Sequence, residues 1–383
     1  MKVNNNFFTI VIATYNRPKS LEKLLYSLSD ADFDNCSANL IISIDGNENK
    51  EVQNISNQFN WKYGEKHVVI HENQLGLKSH FLWCGDLTLK HGTVLFLEED
   101  MLVVKTFPNF VLSFVDRFKN DDRIAGASLY SIEYNELTST NFKPINDGYD
   151  NFFYQQPYWG KIYLRDKWLE FRKWFDKGEF DYKLLPSNVN KWKETSFKKH
   201  YILYLITKDK YYLFPRISLA TNQGVSGIHA SDRIEYQTEL LYGDKEWTFS
   251  DLSISLSIYD AFQEIKPEVL KKYNESLQTY DFIVDINSTK KNFDKDYILT
   301  TRKSQNSILS FSLNLKPYEA NILKNNNGEG INLIRTSEVR TSKYSGLISR
   351  IRILYWSYIR YNIFNLKKIF VLLAVYIFKK GKY

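Results

Sequence analysis

The stretch Thr93-Val-Leu-Phe-Leu-Glu98-Glu99-Asp100-Met-Leu-Val-Val constrains the fold more than any other part of the chain. An apolar run ends in three consecutive carboxylates, and a second apolar run follows. The middle of a buried strand cannot hold three acids, because each ionised carboxylate taken out of water costs several kcal/mol. The segment therefore predicts a strand that leaves a sheet and delivers an acidic cluster to the C-terminal edge. That edge is where open α/β sheets bind ligands. Hard carboxylate oxygens there suit Mg²⁺ or Mn²⁺, held by few protein groups and shared with substrate phosphates. A solvated acidic turn between two strands has the same pattern.

The preceding residues supply the rest of such a sheet. Phe7–Ala13 reads as a buried strand and Thr14-Tyr15-Asn16-Arg17-Pro18 as a turn. Ser20 then opens a helix with Leu21, Leu24, Leu25 and Leu28 at helical spacing. Leu40–Ile44 is a second strand ending at Asp45-Gly46, Glu51–Phe59 a helix, and His67–His71 a third strand. Lys78–Lys90 is helical and Thr93–Leu97 is a fourth strand. Alternating strands and helices predict an α/β fold with a mostly parallel, doubly wound sheet. Asp45 and the Glu98–Asp100 cluster would then share one edge. Further on, Ile283–Ile286 and Ile308–Leu315 read as strands of a Lys/Asn-rich region.

With 383 residues, 43% of them hydrophobic, the chain can build one large domain plus a small appendage. Its two cysteines, Cys36 and Cys84, exclude a disulfide framework or a Cys-based zinc site and fit a reducing compartment. Met1-Lys-Val-Asn-Asn-Asn leads straight into a strand without a signal-peptide pattern, so the expected location is cytoplasmic. The net charge of +7 is unevenly placed. Residues 340–383 hold ten Lys/Arg and no Asp or Glu, leaving 41 basic and 44 acidic residues in the remainder.

A strongly basic tail predicts a polyanionic partner, either nucleic acid or an anionic membrane. Here Arg350, Arg352, Arg360, Lys367 and Lys368 interleave with Ile353, Trp356, Tyr358, Tyr361 and Phe364. The apolar run Ile369–Phe378 follows, closed by Lys379, Lys380 and Lys382. A helix of that run would be about 15 Å long, half of the ~30 Å hydrocarbon core. The expectation is a basic, aromatic, amphipathic helix in the interface of an anionic membrane, rather than a span or a nucleic-acid arm. A C-terminal helix packed on a core with a solvated basic face is the alternative. The expected division is a main domain at 1–260, an accessory region at 261–340 and a membrane-associating tail at 341–383.

The first 230 residues resemble nucleotide-sugar glycosyltransferases of the GT-A fold. Phe8-Thr-Ile-Val-Ile-Ala-Thr14-Tyr15-Asn16-Arg17-Pro18 looks like the start of the family 2 transferases. Later segments look like the N-acetylglucosaminyltransferase I group. They are Lys78-Ser-His80-Phe-Leu-Trp83, Glu98-Glu99-Asp100, Tyr158-Trp159-Gly160 with Arg165-Asp-Lys-Trp168, and Phe214-Pro215-Arg216-Ile-Ser218 leading to Gly224-Val-Ser-Gly227-Ile-His229.

The resemblance implies roles. Thr14, Tyr15 and Arg17 would meet the donor, with Arg17 on its diphosphate. Asp45 would bind uracil or ribose, and His80 would lie against the base. Asp100 would ligate Mn²⁺ or Mg²⁺. Glu98 and Glu99 would bind ribose, sugar hydroxyls or metal-bound water. Gly224 and Gly227 would let a loop fold over the donor, with His229 near the diphosphate. Each has a plainer alternative: a surface turn for Arg17, a cap for Asp45, a packed histidine for His80, an exposed loop histidine for His229.

The pattern departs from the family at the catalytic base. Where an aspartate is expected after a Trp, this chain has Lys191-Trp-Lys-Glu194-Thr-Ser-Phe197-Lys198, with Phe197-Lys198 on the expected pair. Glu194 is the nearest carboxylate and the assigned base, with Asp166 and Asp232 as alternatives. The motif Glu-Glu-Asp, in place of Glu-Asp-Asp, keeps the last carboxylate for the metal. These features together predict a metal-dependent, inverting transferase using a UDP-sugar donor and a lipid-linked oligosaccharide acceptor. It would work peripherally at the inner face of the cell membrane, in bacterial surface polysaccharide (capsule or O-antigen) synthesis. A non-catalytic nucleotide-sugar-binding scaffold is one alternative. A sugar nucleotidyltransferase is another, although no glycine follows the first strand to form a phosphate loop.

Overall fold

The structure, a computed structural model, describes residues 6–46, 48–224, 236–302, 304 and 306–339. Gly227, His229, Asp232 and the basic tail at 341–383 therefore lie outside the described residues. The chain forms two compact units, the first Met1–Val269 and the second beginning at Leu270.

The first unit begins with β1 (Phe7–Thr14), α1 (Pro18–Ser29), β2 (Ser37–Ile44), α2 (Lys50–Gln58) and β3 (Lys66–Ile70). Then come α3 (Leu77–Asp86), α4 (Thr88–His91), β4 (Thr93–Glu98), β5 (Met101–Val103), α5 (Phe107–Phe118) and β6 (Ile124–Ser128). A small hairpin, β7 (Tyr134–Asn135) and β8 (Thr140–Asn141), precedes β9 (Asn151–Tyr154), β10 (Lys161–Leu164) and α6 (Arg165–Phe175). The unit continues with α7 (Ser187–Asn190), α8 (Phe197–Thr207), β11 (Tyr211–Pro215), β12 (Ala220–Asn222) and β13 (Ile258–Tyr259).

Nine strands form one sheet in the order β13-β9-β11-β6-β10-β4-β1-β2-β3. The pairs β1–β2, β1–β4, β2–β3, β6–β11 and β9–β13 are parallel. The antiparallel pairs are β4–β10, β6–β10 and β9–β11. The protein is thus an α/β protein with a large, mostly parallel sheet. The continuous apolar runs of β1, β2 and β4 follow from this, since strands covered on both faces have no polar side. Phe8, Ile10, Val11, Ile12, Leu40, Ile42, Leu95 and Leu97 are all buried.

Two expected elements differ in detail. The helix expected over Lys78–Lys90 is two helices, because the chain breaks at Leu87. Gly85, just before the break, lies so close under Trp168 that a Cβ there would be 2.1 Å from the indole ring. The strand expected at Ile308–Leu315 is only Leu309–Phe311. Beyond it the backbone leaves the ladder, with the Ser312 N–H donating to Asn326 O and the Leu315 N–H to Asn321 Oδ1.

The second unit includes β14 (Phe282–Asp285), β15 (Tyr297–Thr300), β16 (Leu309–Phe311), α10 (Glu319–Leu323) and β17 (Ile331–Arg335), after α9 (Pro267–Tyr273) at the junction. Its sheet runs β14-β15-β17-β16. At the end of β14, Asp285 is fully buried against Arg302. No helix among the described residues is long and apolar enough to cross a membrane.

Candidate active site

Parallel strands deliver their C-termini to one edge, and the register puts the candidate residues side by side there. Ala13 is paired with Glu98, and Thr14 with Ile44. Beyond the strands, the Asp45 N–H donates to Thr14 O at 2.9 Å and the Glu99 N–H to Ala13 O at 3.2 Å. Thr14, Asp45 and the three acids thus line one rim. Glu98 closes β4, while Glu99 and Asp100 form the turn before β5. This turn is fixed from outside: β5 pairs with β12, and the Gln223 N–H donates to Asp100 O at 2.7 Å.

Arg17 reaches this turn from the end of β1. The residue before a proline is driven to extended backbone. Arg17 accordingly ends the turn at φ −118° before Pro18 starts α1. Its Nε lies 2.7 Å from Glu99 Oε1 and its Nη1 2.7 Å from Asp100 Oδ2. Burial works against the guanidinium charge, and the two carboxylates more than restore it, leaving its pKa raised. Glu99 is pushed up to about 7, by burial first and by Asp100 in addition, against the pull of Arg17. Asp100 is also raised, by burial and then by Glu98. With Lys161 Nζ on Glu98 at 2.9 Å, Arg17 alone is left to answer both Glu99 and Asp100, and that shortfall of one positive charge is the condition a cation relieves.

Several oxygens at this rim are unused. Asp100 Oδ1, Thr14 Oγ1 and Gln223 Oε1 are buried without a hydrogen-bond partner among the described residues. The Gln223 amide nitrogen is by contrast fully engaged, donating to Ser20 O, Glu99 O and Met101 O. Among the described residues no group of three or more His, Cys, Asp or Glu is arranged to hold a metal ion. A divalent ion here would thus rely on Asp100 and on oxygens from its ligand, as Mg²⁺ sites shared with phosphates do.

Asp45 and His80 form the neighbouring part of the rim. Asp45 Oδ1 accepts the Leu75 N–H at 2.6 Å and Oδ2 the Gly76 N–H at 3.1 Å, which ties down the loop before α3. His80, in the first turn of α3, is 4% exposed and bonds Ser43 Oγ through Nε2 at 2.7 Å. Burial lowers its pKa to about 4, despite the opposing charge of Asp45. His80 is therefore neutral near pH 7, suited to a base or ribose rather than to a phosphate. His71 bonds the same hydroxyl at 3.0 Å and meets Trp83 edge to face.

Gly224, the first residue past Gln223, has φ +64°, a conformation a Cβ disfavours. Its N–H donates to Asn222 Oδ1 at 3.1 Å. Tyr15 is half-buried in the Arg17 turn. Glu194 is exposed, and its charge acts on Tyr182 and His200 rather than on the three acids. Asp166 lies in the first turn of α6, exposed.

Sequence reasoning missed Lys161, Ser43, His71 and Gln223. Lys161, 4% exposed, begins the antiparallel strand β10 and meets Glu98 Oε1 at 2.9 Å. A lysine directly after Tyr158-Trp159-Gly160 was the available signal. Gln223 offered none, since its role is visible only once β12 is placed beside β5.

No protein-family model matches the chain, and no curated protein matches it. Solved structures that it resembles include S. aureus TarS 1–349, at 14% identity and TM-score 0.37 over 57% of this chain and 60% of that one. A second structure of S. aureus TarS gives 17% identity and TM-score 0.33 over 56% and 36%. TarS 1–349 in complex with UDP gives 17% identity and TM-score 0.34 over 54% and 60%. The chain thus spans about three fifths of the TarS 1–349 structures it matches, and at these scores the likeness does not bear on function.

Proposed function

We propose that this protein is a metal-dependent glycosyltransferase that takes a sugar from a UDP-sugar donor. One observation carries the reading: Arg17 holds Glu99 and Asp100 at the C-terminal rim of the parallel sheet, while Asp100 Oδ1 has no partner among the described residues. An arginine beside a carboxylate with a free oxygen suits a diphosphate–cation pair, the arginine on phosphate and the carboxylate on metal. Neutral His80 and Asp45 would take the uracil and ribose beside it. Mn²⁺ or Mg²⁺, when bound, would offset the negative charge growing on the leaving diphosphate. Arg17 would turn from the carboxylates to the phosphates and stabilise the same charge. Gly224, with Gly227 and His229 beyond it, would close over the donor. Glu194 is the base on this reading, taking the acceptor hydroxyl's proton. Attack opposite the leaving group inverts the anomeric centre. The basic, aromatic tail supports a lipid-linked oligosaccharide acceptor at the inner membrane face, in surface polysaccharide assembly.

The test is UDP release from a panel of UDP-sugars with Mn²⁺, Mg²⁺ or EDTA, comparing wild type with Asp100→Ala. Slow, metal-dependent release from one donor, lost in the variant, supports the reading. Lys198, standing where the resemblance places an aspartate, favours a second reading, a nucleotide-sugar-binding scaffold without turnover. That case would bind UDP-sugar and release nothing even with acceptor extracts, and Glu194→Gln would change nothing.

A further inference from the structure

We infer that the surface around Lys198 is a subsite for a hydroxyl-rich moiety, a sugar or polyol ring, seated between Trp192, Lys198 and Asn188. It rests on the transferase reading only in being the acceptor's place. A row of polar groups runs from the acidic rim to this surface. Glu98 meets Lys161, and the charges of both act on Lys198 in the first turn of α8. The Lys198 ammonium lies 3.5 Å from the centroid of the Tyr158 ring and 5.5 Å from that of Trp192. It has no carboxylate or hydrogen-bond acceptor at bonding distance among the described residues. The nearby acids are already engaged: Glu98 by Lys161, and Glu136 by Tyr158 Oη at 3.0 Å and Asn188 Nδ2 at 3.0 Å.

Three features make this a ligand surface rather than a sealed core. An ammonium carries three donors, and ring faces do not saturate them. Asn188 Oδ1 is buried with no partner among the described residues, and Asn188 joins the same cluster through Glu136 and Tyr158. A buried polar atom left in that state destabilises the fold unless something pairs with it. Lys198, Glu136 and Trp192 are half-buried rather than sealed in the core, so solvent reaches the cluster.

Charge decides the class of ligand. Lys161 and Lys198 are balanced by Glu98 and Glu136, so the cluster needs no anion. A hydroxyl both donates and accepts, and it answers Lys198 and Asn188 alike. Trp192 packs partly on the cluster of Leu185, Val189 and Ile202, and its uncovered part adds apolar surface for a ring's C–H side. Burial brings the Lys198 ammonium down to about 8, which leaves it mostly charged and donating at pH 7.

The test uses the full chain loaded with UDP and the diamagnetic Mg²⁺. Saturation-transfer NMR is recorded with methyl β-D-glucoside, methyl α-D-mannoside and myo-inositol as probes, and UDP binding is measured in the same samples by calorimetry. At least one probe should receive saturation. Lys198→Met and Asn188→Ala, each verified to melt as the wild type does, should weaken it by about tenfold, the loss of one charged or buried hydrogen bond. Silence from all three probes, or a signal kept in both variants, overturns the subsite. UDP binding with silent probes sinks the subsite alone. Probe binding without UDP binding sinks the transferase reading and leaves the subsite standing.

Discussion

Two carboxylate–guanidinium pairs, one in each unit, show how a structural pair differs from a functional one. In the second unit Asp285 is 0% exposed, and each of its oxygens has two donors. Oδ1 accepts the N–H groups of Thr289 and Lys290, and Oδ2 accepts Arg302 Nε and Nη2, both at 2.9 Å. In the first unit Asp100 shares Arg17 with the buried Glu99, Arg17 and Asp100 are partly exposed, and Asp100 Oδ1 has no partner among the described residues. The first arrangement is closed: nothing is left for a ligand to answer. The second leaves a free oxygen, excess negative charge and a cation that can turn elsewhere. Chemical type alone, Asp with Arg, does not separate the two cases. The unused valence does.

Substitutions should expose that difference. Asp285→Ala strands the Arg302 charge in the interior, and breaking such a pair costs about 3–5 kcal/mol. Denaturant unfolding should show that loss, with UDP affinity unchanged; a loss under about 1 kcal/mol would contradict the closed reading. The next effect concerns the rim. His80 is depressed from 6.5 to about 4, so the unfolded chain binds a proton more readily than the folded one between those values. Its contribution is present above pH 6.5 and is lost as pH falls through 4, to a total of about 3 kcal/mol. Unfolding free energies measured from pH 7 to pH 4 should fall accordingly in wild type, and the slope should flatten in His80→Phe.

Smaller again is Gly224→Ala, which places a Cβ at φ +64° and should cost about 1 kcal/mol, read as a lowered denaturation midpoint. Smallest in stability is Asp100→Ala. It leaves Arg17 on Glu99 and removes one of three crowded acids, so the change should stay within about 1 kcal/mol. A larger loss would make the rim another structural pair.

What could be read from the sequence follows the same division between local pattern and distant pairing. Strands β1, β2 and β4 were legible because a strand covered on both faces must be apolar along its length. The acids at the end of β4 were legible because they could not lie within it. Arg17 was visible as a turn residue before Pro18, but its grip on Glu99 and Asp100 spans more than eighty positions. Lys161 was hidden because β10 is only four residues long and enters the sheet antiparallel between β4 and β6. The interruption at Leu87 carried no local signal, since Leu87 itself keeps helical dihedrals. Asp285 carried no signal at all, since its partners Thr289, Lys290 and Arg302 look like any loop.

The central claim is that the Arg17–Glu99–Asp100 rim takes a nucleoside diphosphate together with a divalent cation. Calorimetric titration of UDP into wild type and Asp100→Ala, each with Mn²⁺ and with EDTA, tests it most directly. The account predicts binding to wild type that weakens by about tenfold or more in EDTA, and a variant whose weaker binding ignores the metal. Wild-type binding indifferent to Mn²⁺, or no binding at all, would contradict it.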